Sequence, residues 1–269
     1  MSQHLQKILA SVRVRLDERR RQRPLAALAQ EYSSLPPTRS LSAALRRPGK
    51  GESDAAPLRV IGELKRASPS AGIIRKDFDP ARLARELEAA GCRALSVLTE
   101  EDHFGGSLAA LREARQAVTL PLLRKDFILD PYQLLEARVA GADAVLLLAS
   151  VLSDEQLLAF RDRAQELGLE TLAEAHGEEE LRRLLALELP IIGCNARDLS
   201  TFRVDLEKAL KMCAKVPRDR VCVVESGILA VEDARRAAQS PVDAALVGEG
   251  LMRGESPRQR FAQLFQETP

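Results

Sequence analysis

Six side chains stand out because each one closes an apolar run. Glu63 and Lys65 follow LRVIG, Lys125 follows PLLR, Glu174 sits in ETLAEAH, Asn195 in PIIGCNARD and Glu225 in VCVVESG. Residues two apart on a strand share a face. Glu63 and Lys65 therefore aim the same way, and Leu123, Lys125 and Phe127 share one face while Arg124 and Asp126 share the other. Lysines set among glutamates supply proton donors and acceptors with displaced pKa values, the equipment of general acid–base chemistry. Taken singly, each such residue reads more simply as a solvated rim group. That explanation has to be repeated independently at five strand ends, and it does not account for their common chemistry. No metal-ligand cluster or cofactor motif accompanies them, so the expected chemistry needs only protons and charge stabilisation, with no metal and no cofactor.

A second set is small. The runs ESG at 225–227 and GEG at 248–250 each precede a helical pattern. Gly227, Gly248 and the backbone of Glu249 can approach an anion closely, and helix starts favour negative charge. His176 reads as a loop or helix-start histidine, and His103 sits in a polar loop with no role assigned to it. Asp126 could pin a turn, and Ser226 could cap the following helix.

These residues need elements to position them. Apolar strand candidates lie near 58–63, 94–98, 121–125, 143–148, 170–174, 189–194, 220–225 and 243–247. Helical patterns alternate with them near 80–90, 107–117, 131–140, 153–167, 178–187, 204–214, 231–239 and 257–266. Asp79-Pro80, Asp130-Pro131 and Ser256-Pro257 place a cap residue before proline at the first helical position. Ser153 with Gln156 has the form of a capping box, and Gly91, Gly141 and Gly168 stand where left-handed caps belong. Eight strand–helix units over about 210 residues predict an α/β fold, a (β/α)8 TIM barrel, whose active site lies at the carboxyl ends of the strands. The competitor, an open doubly wound sheet, lacks its GxGxxG after the first strand. Residues 1–50 read as an N-terminal helical extension packed on a barrel of residues 51–269. Leu5, Ile8, Leu9, Val12 and Leu16 form one apolar stripe that needs a partner surface, and Pro48–Pro57 reads as a flexible linker.

Composition narrows the class. Lys+Arg 40 against Asp+Glu 39 leaves a formal charge of +1, which gives no reason to expect nucleic acid or an anionic membrane. Trp is absent, and no apolar run approaches the roughly 20 residues of a membrane span. Four cysteines without a CxxC pair argue against a zinc site or a disulfide framework. A soluble cytoplasmic protein is expected.

The motifs ELKRASPS (63–70), VLTEEDHFGGS (97–107), LLRKDFILDPYQ (122–133), LAEAH (172–176), GCNARDL (193–199), ESGI (225–228) and LVGEGLMR (246–253) together resemble the indole-3-glycerol phosphate synthase family, across the whole chain. The resemblance implies a carboxy-lyase of tryptophan biosynthesis. Its substrate would be the phosphorylated small molecule 1-(2-carboxyphenylamino)-1-deoxyribulose 5-phosphate, converted to indole-3-glycerol phosphate, carbon dioxide and water. It casts Lys125 as general acid for ring closure and Glu174 as acid–base group for dehydration. Lys65 would contact the substrate's anionic groups, with Glu63, Asn195 and Glu225 as polar partners. Ser68, Arg197 and Ser226 become substrate-binding positions, and Phe104 and Phe127 apolar walls. The extension is expected over strands 1 and 8, and the assembly is expected to be a monomer or weak homodimer. Two positions depart from the family pattern. Ala71 stands where a lysine is usual. Glu249 stands where a serine is frequent, so only its backbone is expected to meet a phosphate. A different phosphate-binding barrel, such as a sugar-phosphate isomerase, and a non-catalytic barrel are the alternatives.

Overall fold

The computed structural model describes residues 2–52, 55–198 and 201–266. Eight parallel strands close into a barrel: β1 (Arg59–Leu64), β2 (Ala94–Leu98), β3 (Leu122–Lys125), β4 (Ala144–Leu148), β5 (Glu170–Ala175), β6 (Ile191–Asn195), β7 (Val221–Glu225) and β8 (Ala244–Val247). Closure is made by β1, whose Gly62 is in register with Leu95 of β2 and Val247 of β8, so the barrel itself has no open strand edge.

The strands are apolar on both faces and sort their side chains by parity. Val145, Leu147, Cys222 and Val224 face the helices, while Ala144, Leu146, Leu148, Val221 and Val223 fill the barrel. The same alternation carries Glu63 inward after Ile61, Lys125 after Leu123, Glu174 after Leu172, Asn195 after Ile191 and Gly193, and Glu225 after Val223. The polar cluster is thus the last inward-facing layer of an otherwise apolar interior.

The helices start where the caps indicate. Around the barrel lie α4 (Pro80–Ala90), α5 (Leu108–Ala117), α6 (Pro131–Val139), α7 (Asp154–Glu166), α8 (Glu178–Ala186), α9 (Leu206–Cys213), α10 (Val231–Ala238), the short α11 (Glu249–Met252) and α12 (Pro257–Phe261). Asp79, Asp130 and Ser256 cap α4, α6 and α12, Ser153 and Gln156 form the capping box of α7, and Gly91, Gly141 and Gly168 have φ of 111°, 96° and 75°. Two expectations need correction. The pattern near 204–214 yields a helix only from Leu206, because Asp205 caps it and Val204 bridges to Arg197. The pattern at 257–266 passes from α-helix into a π-turn over Ala262–Gln266. The loop after β1 also holds a small antiparallel pairing of Ala67–Ser68 with Gly72–Ile73. On the outer face of β6 and β7, the thiols of Cys194, Cys213 and Cys222 lie within 4.8 Å of one another.

The first 50 residues clasp the barrel at both ends through α1 (Gln3–Gln22), α2 (Leu25–Tyr32) and α3 (Leu41–Leu45). α1 crosses the carboxyl end with Leu5, Ile8, Leu9 and Val12 buried in the interior cluster. It meets the loops after β2 and β3 rather than strands 1 and 8: Arg15 pairs with Asp102 at 2.7 Å, Ser11 bonds His103 at 3.0 Å, and Arg20 pairs with Asp130 at 2.5 Å. The expected contact near strand 8 occurs at the opposite end. There Arg47 N donates to Asp243 at 2.9 Å and Lys50 Nζ reaches the same carboxylate at 2.5 Å. Lys50 is buried, so the reading of Pro48–Pro57 as a flexible linker fails at its start; Ser53 and Asp54 lie outside the described residues. No helix among those described is long and apolar enough to cross a membrane.

One buried polar network fixes β3 from outside. The guanidinium of Arg124 contacts Asp126 at 2.8 Å, Glu136 at 2.9 Å, Thr99 at 3.0 Å and the Gln133 carbonyl at 3.0 Å. Glu136 in turn pairs with Arg19 of α1 at 2.9 Å. Removing Arg124 takes the guanidinium from two buried carboxylates, leaving Glu136 with Arg19 and Asp126 with Thr99 and the Phe127 N–H. Arg124→Ala is expected to cost about 3–5 kcal/mol in denaturant unfolding; a loss below about 1 kcal/mol, the range of a surface pair, would contradict the assignment.

Candidate active site

The inward-facing strand ends open into a single cleft. Its lining includes all six candidate acid–base residues, Glu63, Lys65, Lys125, Glu174, Asn195 and Glu225. It also includes the eight candidate binding positions, Ser68, Phe104, Phe127, Arg197, Ser226, Gly227, Gly248 and Glu249.

At its floor Lys125 Nζ lies 2.5 Å from both Glu174 Oε2 and Glu225 Oε2. Asn195 donates to Glu174 Oε1 at 3.0 Å, and Lys65 Nζ pairs with Glu63 Oε1 at 3.3 Å. Two glycines make room for these carboxylates. A methyl group on Gly193 would collide with Glu225 Oε1, and one on Gly248 would collide with Glu63 Oε1. The requirement at both is space on the neighbouring strand rather than an unusual φ.

Burial sets the electrostatics. Desolvation would lower the Lys125 pKa, but Glu174, Glu225 and Glu63 outweigh it, and the amine is held above its ordinary value as an ammonium. Two carboxylates beside one ammonium cannot both remain charged at no cost. Burial raises Glu174, but Lys125 and then His176 pull its pKa well below normal. Glu225, pushed up by burial and by Glu174, titrates at about 8. Its Oε1 is buried without a hydrogen-bond partner, as suits a carboxyl group that is neutral at rest.

The other end of the cleft is built from turns. Ser226 and Gly227 both have positive φ, 67° and 85°. Ser226 does not cap the next helix, whose N-cap is Ala230 backed by Asp233. Its strained conformation presents it to the cleft instead. Arg197 is oriented by its own backbone, whose N–H donates to Asn195 Oδ1 at 2.9 Å, and its guanidinium reaches Ser70 Oγ at 3.3 Å. The Glu249 side chain is engaged elsewhere: its carboxylate pairs with Arg197 at 3.6 Å and Arg253 at 2.5 Å. Phe104 and Phe127 form an apolar wall with ring centroids 6.4 Å apart. Leu199, the last residue of the GCNARDL motif, lies outside the described residues.

Sequence reasoning missed three groups of contributors. His4, Leu5 and Ile8 of α1 line the mouth, and Phe202 packs on His4 edge to face at 4.8 Å. The stripe on α1 was readable, but its destination was not. Glu100 also lines the cleft. Its carboxylate accepts from the backbone N–H groups of His103 and Phe104 at 2.8 and 3.0 Å. The third is His176, read as an ordinary loop residue. It is buried, with Nε2 2.9 Å from Glu174 Oε1 and Nδ1 3.4 Å from Glu180. The available signal was its position two residues after Glu174.

A closed (β/α)8 barrel with buried lysines and glutamates at its carboxyl end, beside a glycine-lined turn pocket, is a barrel enzyme of the acid–base class. The chain belongs to the indole-3-glycerol phosphate synthase family: the family model of that description matches residues 5–264. An indole-3-glycerol phosphate synthase of Polaromonas naphthalenivorans is 43% identical over 267 residues, covering 99% of this chain and 100% of the relative. That of Rhodopirellula baltica is 53% identical over 196 residues, 73% of this chain and 76% of the relative. Solved structures below 25% identity share the fold. 3-Hexulose-6-phosphate synthase from Salmonella typhimurium superposes with TM-score 0.63 at 15% identity, over 78% of this chain and 97% of that one. A mutant tryptophan synthase alpha-subunit from Pyrococcus furiosus gives 0.60 at 14%, over 81% and 98%. The chain is a carboxy-lyase of tryptophan biosynthesis.

The pairing of His176 has a consequence for stability. Burial lowers its pKa, but Glu174 and Glu180 raise it to about 9 from 6.5. A group raised on folding stabilises fully below its unfolded pKa and loses that contribution as pH rises through the folded value. Wild type is therefore expected to lose on the order of 3 kcal/mol relative to His176→Gln between pH 6.5 and 9. Urea unfolding across that window checks this; parallel curves for the two proteins would contradict it.

Proposed function

We propose that this chain's cluster runs the three steps of indole-3-glycerol phosphate synthesis on 1-(2-carboxyphenylamino)-1-deoxyribulose 5-phosphate, with Lys125 as the first proton donor. The observation that supports this most is the Lys125 ammonium standing between Glu174 and Glu225, 2.5 Å from each. The ring carbon bearing the carboxylate attacks the ribulose carbonyl. As the carbon–carbon bond forms, the carbonyl oxygen becomes an alkoxide more basic than the amine, and Lys125 gives it a proton. The carboxylate then leaves as carbon dioxide. Its charge is poorly solvated beside Phe104 and Phe127, which favours loss.

The remaining hydroxyl departs as water with a proton relayed through Glu174, whose carboxylate must first take one up. Lys65 contacts the substrate's anionic groups, and the Lys125 amine, left neutral by the first step, takes back the proton released as the pyrrole ring becomes aromatic. Glu63 holds Lys65, Asn195 holds Glu174, and Glu225 shares Lys125. The phosphate sits between the turns after β7 and β8, against Ser226, Gly227, Gly248 and the backbone of Glu249, with Ser68 and Arg197 nearby. In this reading the Glu249 carboxylate serves to orient Arg197. The sequence of bonds made and broken exchanges no electrons with a second reactant, which supports chemistry without a redox cofactor. We take residues 1–50 as an extension of the catalytic barrel at 51–269, since α1 contributes to the cleft lining. We also take the protein as cytoplasmic, a monomer or weak homodimer, acting on a small soluble metabolite.

The test uses the absence of Trp in the chain, which leaves indole fluorescence on a quiet background. Wild type given the substrate is expected to show a rising indole signal. Lys125→Ala is expected to lower kcat roughly 10²–10⁴-fold with its circular dichroism unchanged. A folded Lys125→Ala protein with wild-type turnover would overturn the assignment.

A further inference from the structure

The reaction proposed above has a proton deficit. The substrate enters as a carboxylate and that group leaves as neutral carbon dioxide, while the carbonyl oxygen leaves as water. One proton must therefore enter the site in every turnover. The groups at the floor are shielded: the side chains of Lys125, Glu174 and Glu225 are 13%, 4% and 1% exposed. A bound substrate would cover the cleft side.

We propose that His176, held between Glu174 and Glu180, is the proton store that supplies this proton through Glu174. The geometry carries the argument and rests on Glu174 being the dehydration acid. His176 follows Glu174 by two residues, just past the end of β5, and its ring lies against the Glu174 carboxylate from behind the cleft lining. Its Nε2 is 2.9 Å from Glu174 Oε1, and its Nδ1 is 3.4 Å from Glu180 Oε2 in the first turn of α8; these are ion-pair contacts, and neither ring nitrogen is aligned for a hydrogen bond, so transfer needs a small turn of the ring. Glu180 fixes the loop as well, accepting from the His176 backbone N–H at 2.7 Å. From α9, Lys208 Nζ donates to the His176 carbonyl at 3.0 Å, leaving the ring to the two carboxylates. Glu180 is a quarter exposed, so this side of the pair reaches solvent.

An imidazolium clamped by two carboxylates is charged at rest, and its pKa of about 9, raised by Glu174 and Glu180 against burial, agrees with the geometry. The steps balance. The Nε2–H bond breaks with its electron pair left on nitrogen, and the proton passes to Glu174. Glu174 gives a proton to the hydroxyl, whose C–O bond breaks as water leaves. Solvent recharges the neutral imidazole after product departs. His176 thus acts through Glu174 as a positioning and proton-holding residue.

The experiment is single-turnover kinetics with enzyme in excess, following indole fluorescence and solvent proton uptake with a pH indicator, beside steady-state pH profiles. For wild type, proton uptake should lag indole formation, and kcat should fall as pH rises past about 9. His176→Gln should lower kcat roughly 100-fold with KM changed little, abolish the lag and remove that alkaline limb. Unchanged kcat overturns the proposal. So does a lower kcat with lag and limb retained, which is what a merely structural histidine would give. If His176→Gln does not fold, Glu180→Gln takes its place: removing one of the two carboxylates should move the limb to lower pH, and an unmoved limb overturns the store. Glu174→Gln separates the two layers. Wild-type turnover in that variant removes Glu174 as acid and the store with it. An inactive Glu174→Gln beside an unaffected His176→Gln removes the store alone.

Discussion

The structure depends on keeping one ammonium in a place water barely reaches. Lys125 sits at the end of an apolar barrel interior, and taking a charge from water into such a setting costs several kcal/mol unless it is closely paired. Two carboxylates at 2.5 Å supply the pairing. They also create a conflict, since two buried anions repel each other. The conflict is resolved unequally: Glu174 stays ionised, helped by Asn195 and His176, and Glu225 is driven toward its neutral form. The cleft floor thus holds a donor, an ionised carboxylate and a proton-bearing carboxyl side by side.

Several unrelated features serve that arrangement. Gly193 and Gly248 contribute the absence of a side chain, and a methyl at either would strike a glutamate. Arg124, one residue before Lys125 and on the opposite face, ties β3 through Asp126 and Glu136 to α6 and, through Arg19, to α1. The helix that shields the mouth and the strand that carries the lysine therefore share one buried charge network. At the amino end, Asp243 gathers Arg47 and Lys50 in the same manner. The first 50 residues act as a clasp holding both ends of the barrel.

Much of this was legible in the sequence because strand parity is a local rule. Once Leu123 is inside, Lys125 is inside and Arg124 is outside, and no tertiary information is needed. Proline-preceded caps and glycine stops likewise fix helices from a few neighbouring residues. What escaped depends on where distant elements land. His176 has the correct parity after Glu174, but its meaning comes from Glu180 approaching on α8. The stripe on α1 announces burial without naming the loops after β2 and β3 as its seat. Lys50 lies in a stretch rich in glycine and proline that reads as a linker, yet a carboxylate 193 residues away fixes it. Glu249 looked useless beside a phosphate because its partner, Arg197, comes from the far side of the cleft.

The central claim is that Lys125 is flanked by one ionised and one protonated glutamate. Carbon-13 NMR of side-chain carboxyls, with Glu174 and Glu225 assigned through single Gln variants, reads this directly on the free enzyme. The account predicts that Glu225 is protonated at pH 7 and titrates near 8, while Glu174 stays ionised well below its ordinary range. Finding both carboxyls ionised at pH 6, or Glu174 as the one that holds the proton, would contradict it.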